Sequence, residues 1–158
     1  MKQNEAIALD FKRKYLGKGK FTDEQVEKIC VALAKADSAT NEHVDCQCNI
    51  ISALFYMNVM IYVYDDTHTK YVEKFDGNCG GIAIPGDSEF PSCTITACDG
   101  YTIQDVYDQT HSFECTSASI AVSIVFFNKN HDAIGHLEGG GAGSVIGEFG
   151  GTGSFKPY

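Results

Sequence analysis

The sequence predicts a mainly β protein: a small closed antiparallel β-barrel behind a short N-terminal helical hairpin. Three observations carry that expectation. Apolar residues recur at helical spacing before residue 45 and at two-residue spacing after about residue 48. Beyond that point, runs of β-branched and aromatic residues alternate with short turns. Nine of the sixteen glycines crowd into the closing stretch GHLEGGGAGSVIGEFGGTGSF, Gly135 to Phe155.

The elements follow in order. Ile7, Phe11 and Tyr15 recur every four residues, with Gly17 just past the expected helix end. The second helix opens on a capping box, Thr22 with Gln25, and Phe21 and Val26 stand at staple positions. Its apolar stripe is Val26, Ile29, Cys30, Leu33 and Ala34. DSATNEHVD is the expected linker, dividing a hairpin segment, 1–44, from a barrel domain, 45–158. IISALFYMNVMIYVY reads as strand and KYVEKF as its return after the turn DDTHT. GGIAIPG reads as a strand stopped by Pro85 and Gly86, and CTITAC as another before Gly100. TIQDVYDQT holds one helical turn, and SIAVSIVFF is the strongest strand, turned back by NKNHD.

The glycine-rich end admits three explanations. Gly141 to Gly147 superficially matches a dinucleotide fingerprint, but that motif needs a helix opening at its glycines, and EFGGTGSF is too glycine-rich for one. A disordered tail does not fit the recurring Leu137, Val145, Ile146, Phe149 and Phe155. At a period of two, Gly143, Val145, Gly147, Phe149, Gly151, Gly153 and Phe155 share one face. A small barrel needs such a face, because its interior tapers and its strands coil sharply.

Four pieces, in order, then resemble a known family: FDGNCGGIAIPG, TIQDVYDQTHSF, VSIVFFNKNHDAIGHLEGG and GSVIGEFGGTGSF. They resemble the core of the virulence-associated protein (Vap) family of actinobacterial pathogens, over about residues 48–155. IISALFYMNVMIYV resembles its first strand. The resemblance implies an eight-stranded barrel of two Greek keys with a short helix near its middle. It also implies a secreted effector that acts inside host phagocytes on phagosome maturation and endolysosomal function, with no catalytic residue to carry over. Three features depart from the family pattern. The chain has a helical hairpin in place of a poorly ordered N-terminal extension, it is rich in cysteine, and it has Phe155 where the last strand often ends in Trp.

Composition narrows the function. A formal net charge of −9 and a pI near 4.8 speak against nucleic-acid binding. The basic cluster Lys12, Arg13, Lys14, Lys18 and Lys20 reads first as a solvated helix face. MKQNEAIALDFKRKYL lacks the continuous apolar segment of a secretory signal. The expected location is therefore cytoplasmic, or outside the cell by a non-classical route, or secreted with the signal trimmed.

Site chemistry is sparse. Asp65, Asp66 and His68 share one turn and offer hard-cation ligands, although Asp-Asp-Thr is also ordinary turn chemistry. His43, Cys46, Cys48 and Cys79 offer zinc ligands, against the alternative of buried thiols or a disulfide. Cys93 and Cys98 fall on opposite faces of a strand and should not bridge each other. Neither a Gly-x-Ser-x-Gly elbow nor a His-Glu-x-x-His motif occurs. The expectation is a non-enzymatic interaction or effector module without cofactor, acting on a membrane or a protein. The alternative is a small enzyme or metal-dependent binder with a Cys/His/Asp site at a barrel end.

Two packing expectations complete the reading. Val122, Ile124, Phe126, Leu137, Val145 and Phe149 should fill the barrel. Ala121, Val125 and Phe127 then point outward, where the helical stripe should cover them, in cis or in trans as a homodimer.

Overall fold

The computed structural model describes residues 2–81 and 84–158. Helix α1 spans Gln3–Tyr15 and ends ahead of Gly17, whose φ of 73° lies in the left-handed region. Helix α2 spans Asp23–Lys35, and both halves of the Thr22–Gln25 capping box form. The barrel strands are β1 (His43–Ser52), β2 (Tyr56–Tyr64), β3 (Tyr71–Gly80), β4 (Gly86–Ala97), β5 (Ser112–Ser117), β6 (Ala121–Phe127), β7 (Ala133–Gly143) and β8 (Gly147–Pro157). Helix α3, Ile103–Gln109, lies between β4 and β5 and carries its own capping box, Thr102 with Asp105.

The strands close in the order β1-β2-β3-β8-β5-β6-β7-β4, every pair antiparallel. β4 returns beside β1 after the run β1-β2-β3, and β8 returns beside β5 after β5-β6-β7. Each half is thus a Greek key. Closure pairs both sides of each of the eight described strands.

Three sequence expectations need correction. β1 begins at His43, inside the stretch read as linker, so the hairpin segment gives way to the barrel slightly earlier than the expected 44/45 division. IISALFYMNVMIYVY is not one strand. It breaks at Ala53–Phe55, where Leu54 takes a φ of 67° without being glycine, and the Ala53 amide bonds the Tyr56 carbonyl. In GGIAIPG, residues 82 and 83 lie outside the described residues, while Ile84 and Pro85 belong to the connection and Gly86 starts β4 rather than ending a strand. SFECTS forms β5, a strand the sequence reading passed over.

The interior is filled with side chains. Phe75, Phe113, Phe126 and Phe155 stack edge-on or tilted, with centroids 4.9–5.7 Å apart. All six residues expected to fill the barrel belong to this core. The glycine alternation holds along β8, while Gly143 ends β7 and Val145 lies in the turn between them. A Cβ on Gly151 would run into the Asn78 carbonyl, and one on Gly153 into the Phe75 ring. These glycines let β3 and β8 approach over a crowded interior.

Two of the barrel's surfaces are covered. At one end, α3 places Ile103 and Val106 in the core, with Tyr107 against Phe155 at 5.3 Å. On the outside, the helical hairpin docks in cis. Ala8, Phe11, Phe21, Val26, Ile29 and Leu33 form a second core with Val125, Phe127 and Ala133. Cys98 joins this outer cluster while Cys93 faces the barrel interior, so the two do lie on opposite faces.

Polar contacts flank that outer core. The Tyr15 hydroxyl donates to Glu114 Oε2 at 2.7 Å, and Lys20 pairs with the other Glu114 oxygen. Lys14 donates to Thr116 Oγ1 at 2.6 Å. The N-terminal basic cluster therefore does more than face solvent, since Lys14 and Lys20 hold the hairpin to β5. Beneath the end of α2, His136 Nε2 lies 3.2 Å from the Ala36 carbonyl oxygen, while His136 Nδ1 and the neighbouring Thr96 Oγ1 are buried without partners.

Candidate functional site

Among the described residues, no helix covers the end opposite α3. Four connections meet there, because strand direction alternates around the barrel: β1–β2, β3–β4, β5–β6 and β7–β8. Their tips are apolar. Leu54, Phe55, Ile84, Ile120 and Ile146 are all exposed, Phe55 by 66% and Ile120 by 73%. With the flanking Ile51 and Tyr56 they account for seven of the twelve exposed large hydrophobic residues among the described residues, so the clustering is at this end rather than general. The sequences of the four tips, ISALFY, GGIAIPG, SASIA and GSVIG, contain no charged residue.

This crown is tied together. The Gly81 amide donates to the Phe55 carbonyl at 3.3 Å, and the Gly143 amide to the Ser119 carbonyl at 3.1 Å. Ser117 Oγ donates to the Val145 carbonyl at 2.7 Å, and the Val145 amide to Ser88 Oγ at 3.0 Å. Val145 is fully buried in the barrel core while its neighbour Ile146 faces out, which fixes the direction of that tip. These bonds link described residues of neighbouring tips and hold the exposed apolar side chains near one another.

The metal candidates are not brought together. Asp65 spends its carboxylate on its own turn, accepting from the Thr69 amide at 2.9 Å, the Thr69 hydroxyl at 3.0 Å and the Thr67 hydroxyl at 3.2 Å. The backbone bond from Thr69 is the main reason its carboxyl is held below the usual range. Asp66 is exposed. His68 turns to Asp45, with Nε2 2.9 Å from Oδ2, and stacks on Tyr64 at 4.9 Å. His43 is exposed at the start of β1, whereas Cys46, Cys48 and Cys79 face the buried interior. Among the described residues, no three His, Cys, Asp or Glu side chains converge as a metal site. All seven cysteines are buried free thiols. Burial pushes the Cys79 thiol up to about 11 and the Cys98 thiol up to about 12, and it raises Cys46, Cys48 and Cys115 well above the ordinary range. Thiols so protonated are poor nucleophiles and poor ligands.

A cleft of about 400 Å³ lies beside His68 and is walled by Asp45, Tyr64, Ser92 and Thr94, with Cys46 and Cys93 also on its lining. It opens at a β-bulge between β1 and β4, where the register shifts across Cys46–Cys48.

The family description Rhodococcus equi virulence-associated protein matches residues 1–156. The chain belongs to the virulence-associated protein family. Among solved structures, VapB from the intracellular pathogen Rhodococcus equi is similar at a TM-score of 0.62 and 31% identity, covering 75% of this chain and 100% of its own. VapD from the same organism is similar at a TM-score of 0.64 and 31% identity, covering 73% of this chain and 98% of its own. No curated protein matches. The Vap match runs through both N-terminal helices, so the hairpin lies within the matched region. The Vap relatives are named for virulence association and not for a reaction.

The sequence reading missed the crown. Its signal was there: apolar residues at turn centres, where Asn, Asp, Ser and Gly are the usual choices. What it lacked was the strand order that gathers those turns at one end.

Proposed function

We propose that this chain is a non-enzymatic Vap effector module that docks on lipid membranes through its crown. The observation that carries the reading is four uncharged loop tips, at one end of a closed barrel, each exposing a large apolar side chain. Exposed apolar clusters of this kind mark interaction surfaces. Solvent-filled explanations are weaker here, because the remaining barrel end and the apolar outer face of β6 are both covered.

A bilayer suits the chemistry of the crown. Phe55, Ile84, Ile120 and Ile146 would each gain about 1.5–3 kcal/mol on leaving water. The hydrogen bonds among the described loop residues reduce the ordering entropy that opposes insertion. With a formal net charge of −9, attraction to anionic lipid contributes nothing favourable, and the docking rests on apolar insertion. The expected target is a neutral or zwitterionic surface, bound with little dependence on salt. The names of the relatives supply the setting, virulence in an intracellular pathogen.

Co-sedimentation with phosphatidylcholine vesicles tests this. The wild-type chain should pellet with vesicles at both low and high salt. A Phe55→Ser, Ile120→Ser, Ile146→Ser variant should remain in the supernatant while melting within a few degrees of wild type. Wild-type protein that stays in the supernatant with intact vesicles would overturn the reading.

A further inference from the structure

Cys46 and Cys93 are direct partners in the β1–β4 register, and both face the barrel interior. Cys93 Sγ donates to the Phe90 carbonyl at 3.3 Å, and among the described residues the Cys46 thiol donates to no carbonyl. Other cysteines are engaged elsewhere. Cys30 donates to the Ala8 carbonyl and Cys79 points at the Met57 carbonyl. Cys46 and Cys93 also line the cleft of about 400 Å³ beside His68, which brings solvent close to the pair.

We propose that Cys46 and Cys93 are a modification site: a two-electron oxidant of the hydroperoxide class converts them to a disulfide that bridges β1 and β4. The geometry favours this pair. Residues directly opposite in an antiparallel ladder have Cβ atoms about 4.5–5.5 Å apart, slightly more than the roughly 3.5–4.5 Å of a disulfide. The difference is small, and it falls at a bulge. Two β1 steps, from Cys46 to Cys48, face three β4 steps, from Phe90 to Cys93, where the ladder is already interrupted and can tighten without disturbing regular pairing.

The steps balance. Cys93 is 3% exposed and Cys46 not at all, so the oxidation is assigned to begin at Cys93. Its thiolate attacks one peroxide oxygen. An S–O bond forms, the O–O bond breaks, and the departing oxygen leaves as water once protonated, giving a sulfenic acid on Cys93. The Cys46 sulfur then attacks that sulfur. The S–S bond forms, the S–O bond breaks, and the hydroxide leaves as a second water with the Cys46 proton. Two thiols are oxidised and one peroxide is reduced to two waters. Burial raises the Cys46 thiol well above its ordinary value, so it acts as the resolving partner rather than the first nucleophile, and the reaction is slow.

The full chain treated with hydrogen peroxide, then blocked with N-ethylmaleimide under denaturing conditions and digested without reductant, tests the proposal. The first oxidation product should be a peptide pair joining Cys46 to Cys93, lighter by two hydrogens, with the other five cysteines alkylated. A dithiol reductant should restore seven alkylated cysteines. Cys48→Ala should retain the linked pair and Cys93→Ala should lose it, and the wild-type mapping stands by itself if either variant fails to fold. A different pair linking first, or Cys46 and Cys93 going to sulfinic acid without linking, or all seven thiols surviving peroxide in the folded chain, would overturn it.

Discussion

The outer face of β6 and the crown are both apolar, yet among the described residues only the first has a lid. On β6, Val125 and Phe127 are 4% and 1% exposed because Phe11, Phe21 and the α2 stripe sit on them. In the crown, Phe55 and Ile120 are more than half exposed. The covered face is bordered by matched polar groups, Glu114 with Tyr15 and Lys20, Thr116 with Lys14. The crown's tips have no charged residue at all. The difference teaches how to read an apolar surface. Where the chain supplies its own cover, it also supplies charges that fix the cover's position. Where no such charges occur, the proposed partner is a membrane.

The largest break in this comparison comes from removing the lid. Deleting residues 2–40 should uncover Val125, Phe127 and Ala133, with a loss of about 3–6 kcal/mol from Val125 and Phe127 before entropy is subtracted. Aggregation on gel filtration, or a melting temperature many degrees lower, is the expected outcome. A truncated chain that stays monomeric and melts unchanged would show that the outer core contributes nothing.

Single substitutions sharpen the contrast. Phe127→Ala should cost about 3–5 kcal/mol in urea unfolding, as a buried aromatic does. Phe55→Ser should stay within about 0.5 kcal/mol of wild type. Equal costs at the two positions would mean that the crown, too, is held by the fold.

The polar border gives a smaller effect. Glu114→Ala should cost about 1–3 kcal/mol, because the half-buried Tyr15 hydroxyl loses its acceptor. Burial, then the Glu114 charge, already hold that phenol protonated far above its ordinary range. Glu114→Gln keeps an acceptor and loses only the pair with the half-exposed Lys20, so it should cost less than about 1 kcal/mol. Glu114→Gln as damaging as Glu114→Ala would shift the weight from the hydrogen bond to the ion pair.

Acid should loosen the lid and spare the crown. Burial lowers His136 from its ordinary value of 6.5, against a weaker upward pull from the Ala36 carbonyl. The unfolded chain therefore takes up a proton before the folded one does. Stability falls as pH drops below 6.5 and levels off below the lowered folded value, with a slope of at most about 1.4 kcal/mol per pH unit. Glu138, on the same strand, is raised from 4.5 by burial, so its contribution has the opposite sign and begins nearer that value. His136→Gln should flatten the urea midpoint between pH 6.5 and 5.5. An unchanged slope would remove His136 from the account.

The sequence disclosed what local chemistry decides. The Thr22–Gln25 box, the Asp65 turn, the outward Val125 and Phe127 and the glycine alternation of β8 each follow from a few adjacent residues. The break at Leu54 did not show, because a leucine in the left-handed region carries no mark that glycine or asparagine would. β5 was hidden by Glu114, a carboxylate made tolerable on a covered face by Tyr15 and Lys20, distant in the chain. The crown depends on the strand order, which no single loop encodes.

The chain has no tryptophan, so one introduced indole reports its surroundings without background. Phe55→Trp places it at the crown, and Leu9→Trp places it at an exposed site on the hairpin, 54% exposed in the parent. On adding phosphatidylcholine vesicles, the Phe55→Trp emission should shift to the blue and be quenched by brominated acyl chains, while the Leu9→Trp emission stays unchanged. Both emissions unchanged, or a shift at Leu9→Trp alone, would contradict membrane docking through the crown.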